Sequence, residues 1–181
     1  MRSRQPRVSP LPESEWTDEI REILPGNPGG KPLNIFTTLA RYPKLLKRWS
    51  VFGSHILAKN TLPARERELL ILRTGWLCQS AYEFHQHTRV GLASGLTPDE
   101  IKLLTEDASE WRGFDAVLVR AADELHTKYK LSDSTWDALS ERLSEQQLFD
   151  LLFTVGQYTL VSMVLNTLGV QIEDGSEGFP R

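Results

Sequence analysis

An all-α fold is predicted by three observations. Apolar residues recur at helical spacing in almost every periodic stretch of the 181-residue chain. Capping signatures open several of those stretches, with TPDE at Thr97–Glu100 and SEQQ at Ser144–Gln147 as full capping boxes. Alternating, β-branched strand patterns are nearly absent. Seven or eight helices are expected.

Taken in order, residues 1–32 read as an N-terminal arm. It carries one short helix, SEWTDEIREIL, before the breaker PGNPGG at Pro25–Gly30. A helical domain then spans residues 33–172. Asn34 is placed to cap a short helix that must stop near Pro43. The next segment sets Leu45, Leu46, Trp49, Phe52, Ile56 and Leu57 at helical spacing and ends at Asn60 and Pro63. Pro63 suits the first turn of ARERELLILRTGWL, which Gly75 is expected to break or kink. A new helix starts near Ser80 and runs to Gly95, a C′ glycine. After TPDE come FDAVLVRAADELHTKYK and a helix capped by Ser132. The apolar segment Leu148–Gly169 approaches the length of a membrane span. Asp150, Gln157 and Asn166 interrupt it, and a soluble-type capping box opens it, so it reads as a core or interface helix. Residues 173–181 form a polar tail.

Composition narrows the functions. The hydrophobic fraction is 40%, the charged fraction 25% and the formal net charge −3, with both signs interleaved. Without a basic stripe, nucleic acid and anionic membrane are poor partners. MRSRQPRV is basic, but no apolar run follows it, so no secretory signal is expected and a reducing cytoplasm is the default location. Cys78 is the single cysteine; it excludes an intramolecular disulfide and reads as a small apolar residue. There is no Cys/His metal cluster and no phosphate-cradling glycine loop, so neither a metal nor an organic cofactor is expected.

The densest chemistry lies in SAYEFHQH, Ser80–His87. Spacing supports a plain structural reading. Ser80 and Glu83 match a capping box, and a carboxylate in the first turn suits the backbone dipoles. Glu83 and His87 form an i,i+4 pair worth a few tenths of a kcal/mol on a helix surface. A chemical reading draws on the same letters. Tyr82, Glu83, Phe84 and His87 mix aromatic walls with titratable groups, and Glu68 on the preceding helix can pack opposite His87. Carboxylate and imidazole together make a proton relay. His85 projects from the other face of the helix. His55 and His126 read as packed or surface histidines, and Trp49 and Trp76 as core.

The run LPARERELLILRTGWLCQSAYEFHQHTRVGLASGLTPDEI, Leu62–Ile101, resembles the carboxymuconolactone decarboxylase family, relatives of the AhpD alkylhydroperoxidases. PLNIFTTLARYPKLL, RAADELH and GQYTLVSMVLNTLGVQ extend the resemblance over nearly all the chain after Lys31. In the peroxidase branch a glutamate precedes a C-x-x-C pair, and a histidine stands four residues after the second cysteine. Matched by position, the glutamate is Glu68, the histidine is His87, and the cysteine positions hold Ser80 and Glu83. Both thiols are absent, which argues against thiol peroxidase activity.

The resemblance implies an AhpD-like fold assembled as a ring, trimeric or hexameric, with its pocket near a subunit boundary. It also implies a cofactor-independent lyase that decarboxylates a small lactone carboxylate or moves a proton within one. Glu68, Glu83 and His87 are then the catalytic set, His87 being the proton donor, and Ser80, Tyr82 and Phe84 contact substrate. An arginine is the natural partner of a substrate carboxylate, but nothing selects among Arg65, Arg73 and Arg89. Two rivals stand beside this reading: another lyase or isomerase on the same scaffold, and a non-catalytic oligomer that binds a small molecule.

Overall fold

The computed structural model describes residues 5–26, 30–173 and 178–180. Their regular structure is entirely helical. In chain order the α-helices are α1 (Asp18–Ile23), α2 (Asn34–Leu39), α3 (Pro43–Ser54), α4 (Ala64–Leu77), α5 (Ala81–Ala93), α6 (Pro98–Leu103), α7 (Gly113–Lys128), α8 (Asp133–Ser140) and α9 (Glu145–Leu168). A π-helical turn, His55–Lys59, extends α3, and 3-10 turns lie at Glu13–Glu15 and Ala108–Glu110. Nine α-helices among the described residues exceed the seven or eight expected; six-residue helices such as α1, α2 and α6 carry little periodic signal.

α4 is the axis of the fold. Leu69, Leu70, Ile71 and Leu72 cover every direction around it and are all fully buried, so only a central position satisfies it. It packs against α5, α7 and α9. The main core joins Leu69, Leu70, Leu72 and Phe84 to Leu118, Leu139 and Leu151. A second cluster seats the N-terminal arm, through Leu11 and Ile20, on Ala40 and Leu46. The Arg7 amide also reaches the Leu168 carbonyl at the end of α9, at 2.8 Å.

Capping boxes form at Thr97–Glu100 and Ser144–Gln147, and the Ser132 hydroxyl accepts from the Thr135 amide. Gly95, with φ of 100°, closes α5 in the left-handed region. Three local expectations are corrected. Asn34 is the first residue of α2 rather than its cap; its side chain donates to the Gln171 carbonyl at 3.0 Å. Ser80 precedes α5 but makes no side-chain cap, and the Glu83 side chain turns toward His87 rather than back to the Ser80 amide. Gly75 does not interrupt α4. A methyl group there would sit 3.5 Å from the Phe84 nitrogen and 3.7 Å from Glu83 Cβ, ordinary contact distances; the tight approach of α5 to α4 is at Gly91, where it would stand 3.0 Å from Leu72 Cδ1.

α9 is long and apolar enough to cross a bilayer by length and composition, but 56% of its most apolar stretch is buried within the fold. Its inner face presents Leu151, Val155, Tyr158 and Leu165, while Phe149, Phe153, Leu160 and Met163 are exposed.

Candidate functional site

α4 packs along α5, with Gly91 of α5 letting Leu72 and Glu68 of α4 come close, and there three charged side chains meet. His87 Nδ1 lies 2.6 Å from Glu68 Oε2, and His87 Nε2 lies 3.1 Å from Glu83 Oε1. Glu68 is fully buried, and Glu83 and His87 retain only 4% and 8% exposure. The Glu83–His87 pair is therefore not the surface pair that spacing alone suggests. Its energy is governed by the desolvation of ions, which makes an unpaired partner costly.

Burial opposes the charged imidazole, but hydrogen bonds to Glu68 and Glu83 outweigh it and hold the His87 pKa up at about 9. His87 is thus an imidazolium at neutral pH, donating from both nitrogens. Arg67 Nε donates to Glu68 Oε1 at 3.2 Å, so two cations and two carboxylates balance within one cluster. Tyr158 of α9 closes it, its ring edge-on to His87 with centroids 4.9 Å apart. Burial, together with the Glu83 and Glu68 carboxylates, pushes the Tyr158 phenol well above its ordinary range. It stays a hydroxyl donor, and no hydrogen-bond partner engages it among the described residues.

Glu83, His87 and Tyr158 line a cavity of about 450 Å³ bounded by α2, α3, α5 and α9, a volume suited to a small organic molecule. Buried Ile35, Gln157 and Val161 form its inner walls, while Ser54, Leu57 and Arg89 are exposed and mark its mouth. Most of the remaining lining is apolar, including Leu33, Phe36 and Trp49.

Of the residues singled out in the sequence, Glu68, Glu83 and His87 converge. The other three do not gather around a ligand space in the manner expected. Ser80 is fully buried away from the cavity, its hydroxyl without a partner. Phe84 is one residue beyond Glu83 and so points about 100° away, into the main core against Phe179 at 5.3 Å. Tyr82 does line the cavity, but its hydroxyl accepts from the Ile35 amide at 3.3 Å and donates to Glu173 at 2.8 Å. It is committed to holding chain segments together and does not offer a free donor.

Outside the cavity, His85 is half-exposed, and His55 lies at the surface 3.7 Å from Asp150. Trp76 packs against Phe179 at the edge of the core, and Trp49, read as core, packs against two core clusters and also walls the cavity. Cys78 is half-buried, with Sγ 3.7 Å from His126 Nδ1, and burial pushes its thiol pKa up. The three arginines separate cleanly. Arg65 is engaged by Asp115 and Glu100, and Arg73 by Asp123 and two carbonyls. Arg89 alone of the three lines the cavity, and it has no partner among the described residues.

Tyr158 and Gln157 are the site residues that sequence reasoning missed. The available signal was Asp150, Thr154, Gln157 and Tyr158, polar groups recurring at helical spacing on one side of an otherwise apolar helix.

Residues 43–126 match the sequence profile of the carboxymuconolactone decarboxylase family. No curated protein sequence matches the chain. Several solved structures share the fold. An uncharacterised peroxidase-related protein with an alkylhydroperoxidase AhpD core, from Ralstonia eutropha JMP134, aligns with a TM-score of 0.82 at 19% identity, covering 94% of this chain and 95% of that one. A putative antioxidant defence protein AhpD from Agrobacterium tumefaciens aligns at 0.68 and 14% identity, covering 74% of this chain and 94% of that one. The debrominase Bmp8, a cysteine-to-alanine variant in complex with 2,3,4-tribromopyrrole, aligns at 0.75 and 16% identity, covering 95% and 94%.

Proposed function

We propose that this chain, whose residues 43–126 match the carboxymuconolactone decarboxylase family, belongs to that family, and that its cavity transfers a proton to or within a small enolisable carboxylate, with decarboxylation of a lactone carboxylate as the leading reaction. The observation that carries this reading is the imidazolium of His87, buried between Glu68 and Glu83 on a cavity wall beside the neutral phenol of Tyr158.

Arg89 at the mouth holds a substrate carboxylate, and the apolar walls strip water from the carbon skeleton. When the bond to carbon dioxide breaks, its electron pair moves into the conjugated carbonyl. Tyr158 donates a hydrogen bond to the developing enolate oxygen. A proton passes from His87 Nε2 through Glu83, which faces the cavity, to the substrate carbon. Glu68 and Glu83 keep His87 charged, Arg67 holds the Glu68 carboxylate in place, and solvent returns the proton. The same set supports an isomerase, in which the proton leaves one carbon and returns at another.

A thiol peroxidase cycle finds no support. Ser80 and Glu83 occupy the cysteine positions, and Cys78 lies outside the cavity with a raised thiol pKa. The exposed aromatic face of Phe52 and Phe153, with rings 6.0 Å apart, together with Leu160 and Met163, supports self-association as a homo-oligomer.

Ultraviolet assay with carboxymuconolactone tests the reading. Turnover by the wild-type protein, reduced at least about 100-fold in Glu83→Gln, is the expected result. An inert wild-type protein removes the named activity, and an unchanged Glu83→Gln rate removes the relay.

A further inference from the structure

Gln157 sits in the middle of α9 with 6% exposure and lines the cavity, yet its amide makes no hydrogen bond among the described residues. Farther along α9, Asp150 accepts from the Thr61 amide and hydroxyl at 2.6 and 2.7 Å and Thr154 accepts from Asn60 at 2.9 Å, whereas Trp49 Nε1 and Ser50 Oγ, which belong to the same cavity lining, are unpaired among the described residues like Gln157. The amide opens onto the cavity rather than being sealed in the protein, so water or a ligand must supply its hydrogen bonds, and leucine would fit the apolar pattern of α9 better. Across the cavity, α3 presents Gly53, where an added Cβ would stand 3.8 Å from Gln157 Nε2. Glycine in a helix interior is unfavourable relative to alanine. A polar amide on α9 and a residue without a side chain on α3 therefore face each other at the cavity, and a side chain larger than a methyl at position 53 would crowd the amide.

We infer that Gln157 is a specificity residue that binds an uncharged oxygen of the ligand, a ketone or lactone carbonyl, in a niche that Gly53 keeps open. This rests on the reading above, in which Arg89 takes the carboxylate, and it narrows the substrate class to small oxo or lactone acids. An amide offers both a donor and an acceptor without charge, so it recognises a carbonyl or hydroxyl oxygen. A second carboxylate would meet no cation there and would approach Glu83. The ligand thus carries its anionic groups toward the mouth, an apolar body against Val161 and Trp49, and one neutral oxygen inward.

Amide chemical shifts of the full-length protein, titrated with 3-oxocyclohexanecarboxylate, cyclohexanecarboxylate and cyclohexanone, test this. The wild-type protein should bind the oxo acid roughly 3- to 10-fold more tightly than the acid lacking the carbonyl. Gln157→Leu should abolish that margin and leave the thermal midpoint unchanged or raised. Gly53→Val, which fills the niche from α3, should abolish it too. Arg89→Gln should weaken both acids and spare cyclohexanone.

A carbonyl margin that survives Gln157→Leu, or a Gln157→Leu midpoint lowered by more than about 5 °C, overturns the role of Gln157 and leaves the carboxylate reading standing. Acids that bind no better than cyclohexanone and ignore Arg89→Gln overturn the carboxylate reading. Cyclohexanone binding lost in Gln157→Leu would still support the niche. A wild-type protein that binds none of the three overturns both.

Discussion

α4 carries two buried charges on different sides, and the protein treats them in opposite ways. Arg73, facing α7, spends its whole guanidinium: Nε and Nη2 reach Asp123 at 2.7 and 3.0 Å, and Nη1 reaches the Leu104 and Glu106 carbonyls at 2.7 and 2.8 Å. Glu68, facing α5, belongs to a cluster whose own charges balance but whose neighbours do not close. Tyr158, Gln157 and Arg89 all line the adjoining cavity with hydrogen-bonding capacity unused among the described residues. Burial of charge is common to both regions. What separates a structural site from a reactive one is the polar capacity left over once the fold is complete.

That contrast can be broken experimentally. The largest expected effect is on the saturated side. Arg73→Ala strands Asp123 and two carbonyls and should lower unfolding free energy by about 3–5 kcal/mol, read by chemical denaturation. A loss under about 1 kcal/mol would erase the distinction. On the unsaturated side Tyr158→Phe should behave in the reverse manner. Stability should stay within about 0.5 kcal/mol, while turnover of carboxymuconolactone falls about 100- to 1,000-fold. A comparable loss of stability would make Tyr158 a packing residue.

The third test uses pH. The folded imidazole of His87 has its pKa raised from 6.5 to about 9, so folding takes up a proton. Its contribution is complete below pH 6.5 and lost as the pH rises through about 9, up to about 3 kcal/mol in all. His87→Gln should flatten that alkaline limb, whereas Arg73→Ala should leave its slope intact. A limb that persists in His87→Gln would assign it to other groups.

How much of this was legible in the sequence depended on whether local spacing could report it. Glu83 and His87 were found because i,i+4 residues share a helix face, and Glu68 because motif order carries across two helices. α9 was recognised as a buried helix from its capping box and its apolar length. Phe84 and Ser80 were misassigned because neighbours along a helix diverge by about 100°, so adjacency to Glu83 said nothing about facing the same space. Tyr82 faces the cavity, yet its hydroxyl is consumed by Ile35 and Glu173, a contact 91 residues distant in sequence. Gln157 and Tyr158 were hidden for a related reason. A helix apolar around most of its circumference does not reveal which face borders a void, and only tertiary packing supplies that.

The Glu173 carboxylate accepts from the Asn34 amide at 2.9 Å, from the Tyr82 hydroxyl and from the Gln86 side chain, and Tyr82 in turn accepts from Ile35. α2, which carries Ile35 and Phe36 on one wall of the cavity, is thus clasped to α5 by a carboxylate that lies beyond the last helix. The bore of the cavity is consequently a property of the C-terminal segment as well as of the helices. A change at position 173, remote from every reacting group, would be felt as a change in which molecules fit.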